Sequence, residues 1–300
     1  MGSVWIVALF LAGVVFIVKG GDLFVDAASW MAEVSGIPKL IVGATIVSLA
    51  TTLPELLVSI MAAARGKVDM SIGNAVGSVT ANIGLIMAIA LLFMPSAIKR
   101  RDYLMKAALM LAASALVVAC GAAGETSGPV SLALLAIFAV FLWENVSSAL
   151  RSVRRSGRGR KTRRIIGRRE IGTNGIKFIL GAAGILWGAD LLVDNGSELA
   201  RLAGISERII GVTIIAVGTS LPELITTLTA IAKKQASLSA GNILGANIID
   251  LTLILPLSAA ISRQALPITA ASARLDLPAC LLVGCIALVP ALAAGRFRRW

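Results

Sequence analysis

Three carboxylates occupy positions where carboxylates are costly. Glu55, Glu223 and Asp250 each lie within a long apolar run, and an acid at the middle of a membrane span costs about 2.5–3.5 kcal/mol on insertion scales, so such residues ordinarily serve a pathway. Two of them end matching motifs, Ser48-Leu49-Ala50-Thr51-Thr52-Leu53-Pro54-Glu55 and Ala216-Val217-Gly218-Thr219-Ser220-Leu221-Pro222-Glu223. Proline donates no hydrogen bond and clashes with the carbonyl four residues back. Pro54 is therefore expected to free the carbonyl of Ala50, and Pro222 that of Gly218. Bent backbone in lipid is tolerated where it lines a protein-enclosed or watery cavity. On a helix, Thr51 shares a face with Glu55, and Thr219 with Glu223. Carbonyls, hydroxyls and carboxylates are hard oxygen ligands. The chain has no histidine, and its three cysteines show no metal spacing, so the chemistry suits Ca²⁺ or Na⁺ rather than zinc or copper.

A second set follows each motif. Asn74, Ser78 and Asn82 repeat every four residues, and their counterparts are Asn242, Ala246 and Asp250. Glycines 73, 77, 241 and 245 flank them and permit close helix approach. This set is expected to face the Pro-Glu helix of its own unit. A lone hydroxyl such as that of Thr51 or Ser78 could equally bond back to its own helix. Asp22, Asp26, Asp190 and Asp194 read mainly as structural, lining an access route or capping helix breaks. Glu144, beside Trp143, reads as an interface residue.

The elements that position these groups are membrane helices. Mean hydropathy is +0.90, with 57% hydrophobic and only 15% charged residues, against about 25% charged in soluble domains. A hydrocarbon core about 30 Å thick needs roughly 20 apolar residues per helix. Spans are predicted near 3–34 (with a polar notch at Lys19–Asp22), 40–64, 71–94, 102–121, 129–149, 172–203, 208–232, 239–261 and 275–294. The first is read as a membrane helix, since it lacks the basic start of a secretory signal. The net charge of +12 belongs to loops abutting apolar spans, which argues against nucleic acid. Arg151 to Arg169 holds ten Lys or Arg and no acid. The positive-inside rule makes it cytoplasmic and puts Lys99–Arg101, Lys233-Lys234 and Arg296, Arg298 and Arg299 on the same side, with the N-terminus outside.

The chain is duplicated. At an offset of 168 residues, 20–85 align with 188–253 without a gap and share 25 identities in 66 pairs. Shared leucines and alanines would be unremarkable, but Asp22/Asp190, Asp26/Asp194, Pro54/Pro222, Glu55/Glu223 and Asn74/Asn242 also fall in register. Five spans precede the second unit, and an odd number inverts it. The expected architecture is an all-α membrane protein of two inverted-topology repeats of about five helices. Residues 1–150 form the first repeat (spans 1–5), 151–170 a basic cytoplasmic linker, and 171–300 the second repeat (spans 6–9). Inverted repeats are a frequent build of secondary transporters, with the site where the repeats meet.

At these residues the sequence resembles the cation/calcium exchanger superfamily, in its prokaryotic sodium/calcium exchanger branch. Gly218–Glu223 and Gly241–Asp250 look like the family's second repeat motif, and Ala50–Glu55 and Gly73–Asn82 like its first. The resemblance implies ten helices, two of which slide across the ion-holding motif helices. It also implies that Glu55 and Glu223 are the central Ca²⁺ ligands and that Asn82 and Asp250 complete the middle of the site. Hydroxyls of Thr51, Thr52, Ser78, Thr219 and Ser220 would serve flanking Na⁺ positions, with the backbone carbonyls of Ser48 and Ala216. This chain departs from the family at Ala246 (usually serine), Val79 (usually asparagine) and Ala50 (usually glycine). A tenth span is expected from the resemblance and absent from the sequence.

The functional expectation is an antiporter exchanging Ca²⁺ for Na⁺ by alternating access across a plasma (inner) membrane. Such a protein is not an enzyme. Its partners are the ions and the bilayer, with no cofactor, and a monomer suffices. Glu55, Glu223 and Asp250 offer three charges, which three Na⁺ would balance. The alternatives are an H⁺/Ca²⁺ or K⁺-dependent exchanger, a transport-inactive truncated homologue, a passive channel and an intramembrane enzyme. The last lacks any His-Glu metal motif or nucleotide-binding loop.

Overall fold

The computed structural model describes residues 3–66, 68–93, 100–159, 167–204, 218, 220–263 and 265–294. Ten helices follow in order. They are α1 (Ser3–Ser35), α2 (Lys39–Thr51), α3 (Leu53–Ala64), α4 (68–93), α5 (Arg100–Ala123), α6 (Gly128–Gly159), α7 (Arg168–Leu202), α8 (Leu221–Ala232), α9 (Ala236–Ser262) and α10 (272–294). Two short strands, β1 (Glu125–Thr126) and β2 (Leu266–Pro267), pair antiparallel and join the ends of the two halves. Among the described residues seven helices are long and apolar enough to cross a membrane, and the bent pair α2–α3 makes an eighth. The seventh predicted span, near 208–232, is represented by α8; its first part lies outside the described residues. α6 and α7 run into the segment read as linker, to Gly159 and from Arg168.

Local chemistry explains the departures from straight helices. The span read as 40–64 breaks at Thr52 (φ −82°, ψ 0°), where the chain bends by 46°. Pro54 sits in the first turn of α3, a position that proline tolerates because its missing N–H would be unpaired there anyway. By contrast α1 passes unbroken through the Lys19–Asp22 notch, so Asp22 and Asp26 cap no helix break. Single π-helical turns occur in α2 (Gly43–Val47), α4 (Asn82–Met87), α9 (Asp250–Ile254) and α10 (Ser272–Asp276). Such turns admit an extra residue and frequently mark functional positions. Asn82 and Asp250, equivalent in the two repeats, each begin one.

Two glycine-lined contacts join the halves. α1 and α7 pack antiparallel along most of their length. A Cβ at Gly20 would lie 2.8 Å from the carbonyl oxygen of Gly181, and one at Gly181 would lie 2.9 Å from that of Gly20. Gly13 and Gly188 meet in the same reciprocal way, at 3.0 and 2.8 Å. Since 13/181 and 20/188 are repeat equivalents, the crossing is pseudo-two-fold and the repeats are inverted. In the second contact α2 presses on α9. A Cβ at Gly43 would strike the carbonyl of Leu238, one at Gly241 that of Leu40, and one at Gly245 the carbonyl of Ala44 and the hydroxyl of Ser48. Close backbone approach substitutes for the hydrophobic drive that lipid does not supply.

α9 is the central element, and every residue from Leu238 to Asp250 is buried. Around it Ile83, Met110, Leu134, Phe141, Leu244, Ile248 and Leu277 form one apolar core. On its periphery Lys106 of α5 is 1% exposed and pairs with Glu144 of α6 at 2.8 Å. Glu144 also accepts from Ser148 at 2.9 Å. It is therefore the counter-ion of a buried lysine, not the interface residue its neighbour Trp143 suggests.

Candidate ion-binding site

Glu55 and Glu223 occupy the first turns of α3 and α8, where the helix dipole favours a carboxylate. Both are 1% exposed, as is Asp250. Thr52-x-x-Glu55 and Ser220-x-x-Glu223 match the pattern of a capping box, in which hydroxyl and carboxylate satisfy the helix's own N–H groups. Neither cap hydroxyl does so. Thr52 instead donates to Glu223 Oε1 across the repeat boundary at 3.3 Å. Ser220 Oγ and both oxygens of Glu55 have no partner.

The three acids share one region. Glu55 lies within the electrostatic reach of Glu223 and Asp250, and Asp250 within that of Glu223. Among the described residues no lysine or arginine pairs with any of them. Nor, among the described residues, do three carboxylates converge tightly enough to ligate an ion between them alone. A complete shell must draw on neutral oxygens, and buried ones lie on the same helices. Thr51 donates to the carbonyl of Ser48 (3.3 Å) and to Asn242 Oδ1 (3.2 Å). Asn82 Nδ2 donates to Asn247 Oδ1 at 3.1 Å, leaving Asn82 Oδ1 unpartnered. Ser48 and Ser78 are buried. Six buried oxygens thus lack a donor: two on Glu55, one on Glu223, two on Asp250 and one on Asn82. Leaving such atoms unmet is costly, and a hard cation takes oxygen ligands of this kind.

Several expectations need adjusting. Thr51 and Glu55 lie on either side of the Thr52 break, so no continuous helix face joins them. Asn74 does face its own Pro-Glu helix, donating to the carbonyl of Glu55 (3.1 Å) and to Ser59 (2.9 Å). Asn82 instead reaches across to the other unit. The carbonyl of Ser48 accepts from both Thr52 N–H (2.9 Å) and Thr51. Thr219 and Ala216 lie outside the described residues. Asn242, named in the sequence as the counterpart of Asn74, joins the polar network, and Asn247 and Ser59 belong to it without having been singled out from sequence. For Asn247 a signal existed: it is the repeat equivalent of Val79. Asn82 pairs with Asn247, so the matching partner of Asp250 would be residue 79. Valine there, fully buried, offers no amide, and both Asp250 oxygens stay free.

These features define a membrane protein with an oxygen-lined site between inverted repeats. The model of the sodium/calcium exchanger protein family matches residues 5–146 and 175–300, and the chain belongs to that family. It is 35% identical over 261 residues to the inner membrane protein YrbG of Escherichia coli, covering 85% of this chain and 79% of that one. It is 31% identical over 292 residues to the sodium/calcium exchanger MaX1 of Methanosarcina acetivorans, covering 83% and 81%. A solved structure of the sodium-calcium exchanger NCX_Mj, soaked with Na⁺ and Sr²⁺, superposes with a TM-score of 0.80 at 26% identity, covering 99% of this chain and 94% of that one. The protein is thus a multi-pass cation exchanger with the inverted-repeat transporter fold.

Proposed function

We propose that the protein exchanges Ca²⁺ for Na⁺ by alternating access, with Glu55, Glu223, Asp250 and Asn82 binding the ion at the contact of the two units, 1–150 and 171–300. Thr51, Thr52, Ser78, Thr219 and Ser220 would add hydroxyls, and Ser48 and Ala216 backbone oxygens. The observation that carries this reading is the set of buried, unpartnered carboxylate oxygens, which among the described residues pair with no lysine or arginine. An empty site of this kind is self-repelling, so a resting state needs a mobile cation. Either one Ca²⁺ or several Na⁺ relieves the repulsion, and return of the protein across the membrane without an ion is disfavoured. That coupling favours exchange over leak. Residues 151–170 would lie on the cytoplasmic side of a plasma (inner) membrane, with the N-terminus outside, as the charge bias dictates.

The test is ⁴⁵Ca²⁺ uptake into proteoliposomes with Na⁺, K⁺ and pH gradients imposed separately. Uptake driven by outward Na⁺ and absent in Glu223→Gln is the expected result. Uptake that follows pH and ignores Na⁺ would reassign the counter-ion to H⁺. Full uptake in Glu223→Gln would remove that residue from the site.

A further inference from the structure

The repeat keeps its motifs in register in the sequence but is broken in structure, and the break is systematic. Lys233 ends α8 (φ −89°, ψ 7°), and its equivalent, Arg65, ends α3 in the same backbone conformation (φ −91°, ψ 8°). Lys233 reaches α1, pairing with Asp26 at 2.8 Å and Asp22 at 3.3 Å and donating to the carbonyl of Asp22 at 2.8 Å. The equivalents of those acids are Asp194 and Asp190 on α7. Among the described residues they form no ion pair, and neither does Arg65, which is exposed.

Packing shows the same asymmetry independently. Gly21 of α1 sits so close to α8 that a Cβ there would lie 2.7 Å from Thr229 Oγ1 and 3.1 Å from Ile225 Cγ2. The equivalent of Thr229 is Met61, which is 50% exposed, and that of Ile225 is Leu57, 56% exposed. Between α7 and α3 lies a cavity of about 120 Å³ instead. Asp190 and Asp194 line it, together with Val58, Val193, Pro54 and Pro222, the residues next to Glu55 and Glu223. One half is closed by an ion-paired helix, and the other stands open down to the threshold of the site.

We propose that Lys233 with Asp22/Asp26 and Arg65 with Asp190/Asp194 are two alternating latches that position α1 and α7 during the transport cycle. The latch at Lys233 is formed in the state described above. In the opposite state α1 leaves α8, α7 closes onto α3, and Arg65 takes up Asp190 and Asp194. This rests on the alternating-access reading given above. Both bases sit at helix C-termini, where a cation also meets the favourable end of the helix dipole. A base released from one latch therefore keeps part of its stabilisation while the other forms. The energies of the two states stay close, as a cycling transporter needs.

Labelling of the cavity tests the proposal. Val58→Cys is made with Cys120, Cys280 and Cys285 replaced by alanine, and the protein in sealed vesicles is exposed to an impermeant maleimide. Lys233→Gln removes the latch of the open-cavity state and should slow labelling roughly two- to fivefold, the range set by an exposed ion pair. Arg65→Gln should speed it by a similar factor, and the double variant should return near the starting rate. No change in either variant, or changes of the same sign, would overturn the latches. As a second measurement, Arg65→Cys with Asp194→Cys should be joined by a short bifunctional thiol reagent, stopping flux. Failure to join them in vesicles that transport would also overturn the proposal. Reciprocal shifts in a protein without Ca²⁺ exchange would instead sink the exchange reading and leave the latches standing.

Discussion

Ser220→Ala offers a test in which a structural role and an ion-binding role carry opposite signs. Ser220 is 2% exposed, and its hydroxyl has no hydrogen-bond partner. An unmet buried polar group costs about 1–3 kcal/mol. Removing this one should therefore stabilise the ion-free protein by about 1 kcal/mol, a rise in Tm of roughly 2 °C for a chain of this size. If the hydroxyl ligates the ion, the bound state moves the other way. Ca²⁺ at 100 times its Kd stabilises by ~2.7 kcal/mol. A tenfold loss of affinity leaves ~1.4 kcal/mol at the same concentration. The variant should thus start higher and gain less, so its melting curve with Ca²⁺ falls at or below that of the wild type. Thermal unfolding of the purified protein, with chelator and across a Ca²⁺ titration, reads both quantities. Thr52→Val serves as the contrast, because Thr52 already donates to Glu223 at 3.3 Å and its loss should lower Tm without ions too. A fall in the ion-free Tm of Ser220→Ala would mean that its hydroxyl is a structural donor and not an ion ligand.

Two further outcomes follow from the same geometry. Val79→Asn places, at the equivalent of Asn247, an amide whose N–H can donate to Asp250, so the carboxylate is partly satisfied before any ion arrives; isothermal titration should show Ca²⁺ binding weakened by about ten- to a hundredfold, on the scale of one hydrogen bond to a charged group. Lys106→Met should destabilise the protein by about 3–5 kcal/mol, because it leaves Glu144 without its counter-ion. Adding Glu144→Leu should recover most of that loss while Ca²⁺ affinity stays unchanged throughout, as read by thermal unfolding and titration.

What the sequence made legible was what two copies of a motif can report. The register of Glu55 with Glu223 and of Asn82 with Asp250, the inversion, and the oxygen-only chemistry all follow from spacing and residue type. The bend at Thr52 was half visible. Pro54 announced a disturbance, but a proline in the first turn of a new helix and one kinking a continuous helix look alike in sequence. The π-helical turns left no compositional trace, since an extra residue in one turn is set by packing between helices distant in sequence. Glu144 was misplaced for a related reason. Its partner Lys106 is 38 positions away on another helix, and nothing local distinguishes a buried ion pair from a pair of interface residues.

The asymmetry between the halves was invisible for a deeper reason. A repeated sequence describes what both units can do, whereas one conformation of an inverted-repeat protein must assign them different roles. Lys233 and Arg65 are equivalent bases at equivalent helix ends, yet among the described residues one forms ion pairs and the other does not. Asn74 clamps Ser59, while in the second unit Asn242 Nδ2 and Thr227 Oγ1 remain unpartnered. Thr52 bonds Glu223, while Ser220 and Glu55 do not meet. Each contrast points the same way: the contacts present in one unit are those the other can make after exchange of roles. If the cycle swaps these assignments, the groups left unengaged in either unit are contacts awaiting the opposite state, and the motifs the two copies share in register keep both states within reach of an ion's binding energy.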